Sequence, residues 1–393
     1  MATQDGSDDI RTLILKSLEE NSHIRELKFA SDSSNVVLEE MEGGNLNYVW
    51  RAFSSSQPHN SVFVKQAPPF IKCLGEDYPL DSKRGHIEHE AGRMFISLAP
   101  NSVARPYYYD SKRDLVCMEY LDDFHVYRNE LMSGLLDKDI TKKIARDIAI
   151  IHRDTHVGKI GESALKQLDE KFENTSLISV TSQYIFTKPF IRDEPTNRYS
   201  DVIRGKLGWI YEDQEVLTAA EKMKEVFLNK KESLIHGDLH TGSLMVKESD
   251  SRMIDLEFTC VGPCAFDLGC LIANYIFSYY QHMMTPENND EHRKVSYVLV
   301  DICHQTVAEY LKTMTSHVGD EDTYVANFMT EVAGFAGCEI IRRILGTAHV
   351  ADLELPSAPG ADVEALGAGI RLMKAYHRIH NIGMLMVIAL MLS

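Results

Sequence analysis

Three carboxylates stand at a spacing that phosphoryl transfer can use. Asp238 lies in His236-Gly237-Asp238-Leu239-His240, directly after the apolar pair Leu234–Ile235. Asp255 and Glu257 flank Leu256 after the next apolar pair, Met253–Ile254, seventeen and nineteen residues further on. A phosphoryl transferase needs one carboxylate beside the attacking hydroxyl and others that hold Mg²⁺ against the phosphates. A lone His-Gly-Asp is as well explained by a capped turn with solvated acids. Two acidic loops after two short apolar strands make metal-assisted transfer the better account. Upstream, Glu42 to Asn47 is a turn in which Gly43 and Gly44 let backbone N–H groups approach phosphates. Lys65 ends the apolar run Val62-Phe63-Val64, where an ammonium can turn into a cleft and meet the α/β-phosphates of ATP. Singly these are weak signals: Gly-Gly is commonly a plain hairpin turn, and a strand-ending lysine is commonly solvated. Their order, strand, Gly turn, strand, strand, lysine, gives them weight. Cys117 to Leu121 is a candidate hinge strand whose backbone at Glu119, Tyr120 and Leu121 could read an adenine edge; the plain alternative is an ordinary edge strand.

The elements that must position these groups divide the chain in two. An opening helix is expected over Thr12–Glu20, strands over Asn35–Glu39, Tyr48–Phe53 and Ser61–Lys65, a helix over His86–Leu98, and a hairpin from Tyr107–Tyr109 and Leu115–Tyr120. After Leu121 helical periodicity dominates, at Leu135–His152, Gln214–Asn229, Val295–Met314 and Val363–Arg378, interrupted by short apolar strands around Asp238 and Asp255. Pro189–Pro195 and Ala351–Ala361 are expected as surface loops. The fold class is therefore α+β with two lobes: residues 1–121 as a small antiparallel β-rich lobe ending in a hinge, and residues 122–393 as a larger, mostly helical lobe.

Composition narrows the function classes. The formal net charge is −17, a field that opposes a nucleic-acid backbone. The seven cysteines are scattered without a C-x-x-C pair, so they are expected as buried, reduced thiols. The polar, acidic Met1 to Asp9 lacks the pattern of a signal peptide, and the apolar tail Ile382–Leu392 is too short to span a bilayer. No membrane partner and a cytoplasmic location are the expectations, with the tail as a buried helix or a subunit contact.

The residues above resemble the aminoglycoside phosphotransferase and choline kinase branch of the protein-kinase-like fold, with its H-G-D-L-H loop and its acidic D-x-E. One position departs: where many members have Asn as a metal ligand, this chain has Ser243. The segment His236 to Ser243 resembles the signature of the 5-methylthioribose kinase family. So do Gly44-Asn45-Leu46-Asn47-Tyr48-Val49-Trp50-Arg51, Lys65-Gln66-Ala67, Gly75 to Leu80, Gly334-Phe335-Ala336-Gly337 with Glu339 to Arg343, and Ala348 to Asp352. The resemblance implies a bilobal protein-kinase-like fold, and phosphorylation of the anomeric hydroxyl of 5-methylthioribose by ATP, a step of methionine salvage. Asn47 and Lys65 would touch the ATP phosphates, and Glu119 to Leu121 the adenine. Asp238 would orient the hydroxyl and take its proton. Asp255 and Glu257 would hold Mg²⁺, with Ser243 a secondary ligand at most. Arg342 and Arg343 would face the substrate and the moving phosphoryl group. Glu90, rather than Glu88, is favoured as the partner of Lys65. A homodimer is implied as well. A kinase for choline, an aminoglycoside or homoserine is the alternative, and a non-catalytic scaffold the more distant one. An arginine pair is a poor host for a cationic substrate, and the intact Lys65, Asp238, Asp255 and Glu257 speak against a scaffold.

Overall fold

A computed structural model of the chain describes residues 4–41, 44–287, 289–315 and 321–391. Gly43, one of the two glycines expected to approach phosphates, lies outside the described residues. The chain forms two compact units, Met1–Phe124 with Ile254–Thr259, and His125–Met253 with Cys260–Ser393. A division at residue 121 would leave Asp255 and Glu257 with the second unit; in the structure their segment groups with the first.

The first unit opens with helix α1 (Gln4–Glu20) and carries strands β1 (Val36–Glu40), β2 (Tyr48–Ser54), β3 (Ser61–Gln66), β4 (Phe70–Ile71) and β5 (Gly75–Pro79), then helix α2 (Arg84–Leu98) and strands β6 (Pro106–Asp110) and β7 (Leu115–Glu119). Five strands form one antiparallel sheet in the order β1-β2-β3-β7-β6. Alternation along β3 decides which side chain serves which face. Val62 and Val64 enter a core with Leu38, Trp50, Ala52 and Cys117, covered by Ile14 and Leu18 of α1. Lys65 is out of phase with them and therefore stands on the opposite face. Phe63 shares that phase and packs beside Val116, Met118 and Ile254.

Helix α2 covers that second face, and two glycines let it come close. A Cβ on Gly85 would lie 3.2 Å from the Tyr109 ring and 3.3 Å from Val116, and one on Gly92 would lie 3.0 Å from Pro106. The two glycines are seven residues apart, hence on one stripe of the helix.

In the second unit the short strand Ser233–Ile235 pairs antiparallel with Cys260–Gly262, and Leu244–Lys247 pairs with both Asp250–Met253 and His125–Val126. Helices form most of the remainder among the described residues. The helix Cys264–Met283 is buried along nearly its whole length and packs on Glu321–Leu345. The segment Gly334-Phe335-Ala336-Gly337 has a packing role. A Cβ on Gly334 would collide with the sulfur of Met223, and one on Gly337 would sit 2.8 Å from Met373. Phe335 joins Phe186 and Phe266 in an aromatic cluster.

Two expectations are corrected, and the tail is a partly buried helix as expected. Ala351–Ala361 is not simply a surface loop: its first turn is a 3-10 helix, Ala351–Leu353, and Asp352 is buried, because it pairs with Arg128 and Ser278. The cysteines are free, six of them buried, but Cys73 is exposed in the turn between β4 and β5. The apolar tail forms a short helix, Ile382–Ala389, that buries Leu385, Met386 and Ala389 and leaves Val387 exposed. Among the described residues no helix is long and apolar enough to cross a membrane.

Candidate active site

The first unit gathers Lys65 and three carboxylates. Its ammonium lies 2.9 Å from Asp255, 3.1 Å from Glu88 and 3.2 Å from Glu257. Burial alone would lower the Lys65 pKa, but Asp255, Glu257 and Glu88 outweigh it and hold the group well above its ordinary value, so it is charged. Burial lifts the Glu88 carboxyl to about 7; Lys65 pulls it down, while Glu257 and Asp255 push it up.

The partner of Lys65 on α2 is thus Glu88 and not Glu90. The reason is helical phase. Glu88 lies three residues after Gly85 and four before Gly92, on the stripe that approaches the sheet; Glu90 is about 200° further round and meets Arg93 at 3.3 Å. Glu88→Gln is expected to weaken nucleotide binding and lower kcat at least about tenfold, the scale of a hydrogen bond to a charged group. Glu90→Gln is expected to leave both within about twofold, as surface pairs contribute little. Nucleotide titration calorimetry and steady-state rates on the two variants check this; equal effects would remove the distinction.

Asn47 and Arg84 complete the cluster. The Asn47 amide donates to both oxygens of Glu257, at 2.8 and 2.9 Å, and its carbonyl accepts from Arg84 Nε at 3.0 Å. Arg84, fully buried, also lies 3.2 Å from Glu257 and donates to the carbonyls of Asp81 and Leu46. The turn before Asn47 depends on Gly44, which has φ +74 and whose Cβ would fall 2.7 Å from the Asn47 carbonyl oxygen. In this arrangement Asn47 is engaged in holding Glu257 and Arg84. Asp255 takes a left-handed conformation, φ 61, which Asp tolerates better than most residues. It leads into the 3-10 turn Leu256–Phe258, on which Leu256 and Glu257 are buried. At the other end of the sheet, the Glu119 N–H donates to the Arg105 carbonyl at 2.8 Å, and the carbonyls of Tyr120 and Leu121 accept from Asp122 and Phe124.

The second unit gathers Asp238, His240, Arg342 and Arg343. The loop that carries Asp238 is fixed by Asp267, a buried acid in the apolar helix Cys264–Met283. Its carboxylate accepts the backbone N–H groups of His236 at 2.7 Å and Gly237 at 2.9 Å, and lies 3.1 Å from His152 Nε2. Gly237 has φ +84, the region glycine adopts without steric cost. Ser243 closes the loop, donating its hydroxyl to the Asp238 carbonyl at 3.1 Å. That bond makes Ser243 a clasp of the loop.

Arg342 and Arg343 are both anchored on Glu339, which is wholly buried. Arg342 Nε lies 2.5 Å from one of its oxygens and Arg343 Nε 2.8 Å from the other. With each Nε tied back, the guanidinium ends turn to Asp238, at 3.4 Å for Arg342 and 4.0 Å for Arg343. Burial pushes the Asp238 carboxyl up, but His240, Arg342 and Arg343 outweigh it and hold Asp238 well below the usual carboxylate range. These neighbours favour its ionised form, an acceptor only.

Asp267 and Arg84 escaped the sequence reading. Asp267 had a signal: a single acid within an apolar helix must be buried and satisfied. Arg84 had only its position four residues before Glu88.

The Phosphotransferase enzyme family matches residues 89–283. Methylthioribose kinase of Bacillus pumilus (strain SAFR-032) is 30% identical over 367 residues, covering 90% of this chain and 91% of that protein. Methylthioribose kinase of Geobacillus sp. (strain WCH70) is 33% identical over 333 residues, covering 82% and 81%. Among solved structures, choline kinase from Cryptosporidium parvum Iowa II superposes with a TM-score of 0.53 at 12% identity, covering 93% of this chain and 95% of that one, a likeness of fold. A small antiparallel sheet followed by a mostly helical region is the protein-kinase-like fold of these phosphotransferases, and with these relatives the chain, an ATP-dependent small-molecule kinase, belongs to the methylthioribose kinase family.

Proposed function

We propose that this protein transfers the γ-phosphoryl group of ATP to the anomeric hydroxyl of 5-methylthioribose, giving the 1-phosphate and ADP. The observation that carries the reading is the pair Arg342 and Arg343, locked on Glu339 and turned to Asp238. Two guanidiniums beside the acceptor carboxylate suit anionic oxygens and repel a cationic alcohol such as choline. The names of the relatives agree with it.

In this reading Lys65, supported by Glu88, meets the nucleotide phosphates, and the backbone at Glu119 to Leu121 meets the adenine. Asp238 accepts the hydroxyl's hydrogen bond and then its proton as the new O–P bond forms and the bond from γ-phosphorus to the bridging oxygen breaks. Arg342 and Arg343 offset charge on the phosphoryl oxygens. The donor set suits Mg²⁺, which takes one or two carboxylates and completes its shell with phosphates and water. Asp255 is the natural ligand: its side chain is 46% exposed. Glu257 is only 6% exposed and held by Asn47, Lys65 and Arg84, and it anchors the cluster from behind. When bound, the metal would neutralise charge on the β- and γ-phosphates. A cytosolic homodimer belongs to the same reading.

The test is ADP release with 5-methylthioribose, ribose, choline and homoserine. Exchanging the S-methyl group for a hydroxyl loses apolar burial, about 0.8 kcal/mol per methylene-sized group, and leaves a polar group unpaired at about 1–3 kcal/mol. Together these correspond to a kcat/KM for ribose lower by roughly 20-fold or more. Equal specificity constants for the two sugars would end the substrate assignment and leave the kinase assignment standing.

A further inference from the structure

His240 has a place in the second unit that the transfer chemistry above does not use. The Gly242 N–H, which can only donate, points at His240 Nδ1 at 3.0 Å. Nδ1 therefore presents a lone pair, and the ring proton sits on Nε2. The Arg128 guanidinium lies on the same side, 3.4 Å from Nδ1. It is held in turn by the Asn274 carbonyl at 3.1 Å and by Asp352 at 3.4 Å. Nε2 faces Asp238 Oδ2 at 3.5 Å, and the Ser243 hydroxyl, whose own proton goes to the Asp238 carbonyl, lies 3.3 Å from both ring nitrogens. The ring fills its space: a Cβ on Gly242 would lie 2.9 Å from His240 Cε1 and 3.0 Å from the Arg128 guanidinium. Glycine at 242 is what lets ring, loop and guanidinium pack together.

We propose that His240 is a positioning residue for Asp238: as the neutral Nε2–H tautomer, fixed by Gly242 and backed by Arg128, it orients one carboxylate oxygen while Arg342 and Arg343 address the other. The charged groups around the ring agree. Burial disfavours the imidazolium, and Arg343 and Arg128 disfavour it further, against the opposing pull of Asp238. The order Asp352, Arg128, His240, Asp238, Arg342 then alternates charge through a neutral ring, so the loop is not loaded with a third cation beside the arginines. The proposal rests on the reading of Asp238 as the residue that orients the acceptor hydroxyl.

Two side chains separate positioning from loop support. Glutamine can place its amide N–H near Nε2 and reach Asp238; asparagine can accept the Gly242 N–H near Nδ1 and cap the turn but falls short of Asp238. His240→Gln is expected to keep about 10–100-fold more kcat than His240→Asn, the scale of a hydrogen bond to an ionised group and of a misplaced reactant. KM for ATP should be unchanged in both, and the melting temperature of the Asn variant retained. ¹⁵N spectra of the histidine-labelled wild type should show His240 with Nε2 protonated and Nδ1 bare. An Asn variant as active as the Gln variant, or a ring protonated on Nδ1, overturns the proposal. The spectra need no substrate. Should 5-methylthioribose fail and another alcohol turn over, the substrate assignment falls, and the variants are compared on that alcohol.

Discussion

Asp238→Asn will lower kcat by about 10²–10⁴-fold, the range of positioned acid–base groups, while nucleotide affinity stays within about twofold of wild type, the scatter of an unperturbed site. In the proposed reading the nucleotide meets Lys65, which stands with Glu88, Asp255 and Glu257 in another cluster that the change does not alter. The size of the loss follows from what Asp238 is. Its pKa is held far down by its cationic surroundings, so it is a weak base toward a free alcohol. In a loose phosphoryl-transfer transition state, nucleophile and leaving group are only partly bonded, and the hydroxyl becomes acidic late. In the proposed reaction the early contribution of Asp238 is therefore orientation by a charged acceptor, and proton removal comes at the end. Asparagine keeps the shape but offers a neutral carbonyl and a competing N–H, losing both. Calorimetry with a nucleotide analogue and ADP release at saturating substrates check the two halves separately. A variant with kcat within about threefold of wild type, far inside the expected range, would place the acceptor elsewhere.

The placement of the candidate site residues was legible where strand phase or spacing constrains it. A lysine out of phase with Val62 and Val64 had to leave the core face of its strand, and that is where Lys65 stands. The acids of the D-x-E segment declared themselves by spacing, but their neighbours did not. Asn47 lies 210 residues from Glu257 along the chain, and nothing local announces that its amide will clasp that carboxylate. Glu88 was legible and misread. Gly85 and Gly92 mark the stripe of α2 that approaches the sheet, and Glu88 shares it, whereas Glu90 falls about 200° away. The loop-closing bond of Ser243 to the Asp238 carbonyl is a tertiary detail that the residue type alone does not announce. The Gly-Phe-Ala-Gly segment came from resemblance alone; its small residues are there because neighbouring helices, with Met223 and Met373, press against them.

Glu339→Gln will destabilise the second unit by about 3–5 kcal/mol, the cost of breaking a buried ion pair from one side. Glu339 is the anchor for two buried guanidiniums, one on each oxygen. Burial pushes its carboxyl up, but Arg342 and Arg343 prevail and hold it below its ordinary value, so it is ionised in the folded state. An amide offers one acceptor and one donor in place of two acceptors. One Nε–H then meets an N–H, and the net charge of the cluster rises by one in surroundings that cannot hydrate it. Activity falls as well, because the guanidinium ends that face Asp238 are aimed only while each Nε is tied back. Stability and function come apart in a double variant. Adding Arg343→Leu to Glu339→Gln removes one uncompensated cation, so part of the lost stability returns, while kcat remains low because the arginine pair beside Asp238 is incomplete. Thermal melts and steady-state rates on the wild type, the single variants and the double variant make a complete cycle. If the double variant is no more stable than Glu339→Gln alone, charge is not what the buried glutamate balances. If Glu339→Gln keeps full activity, the arginines are aimed by the helix itself.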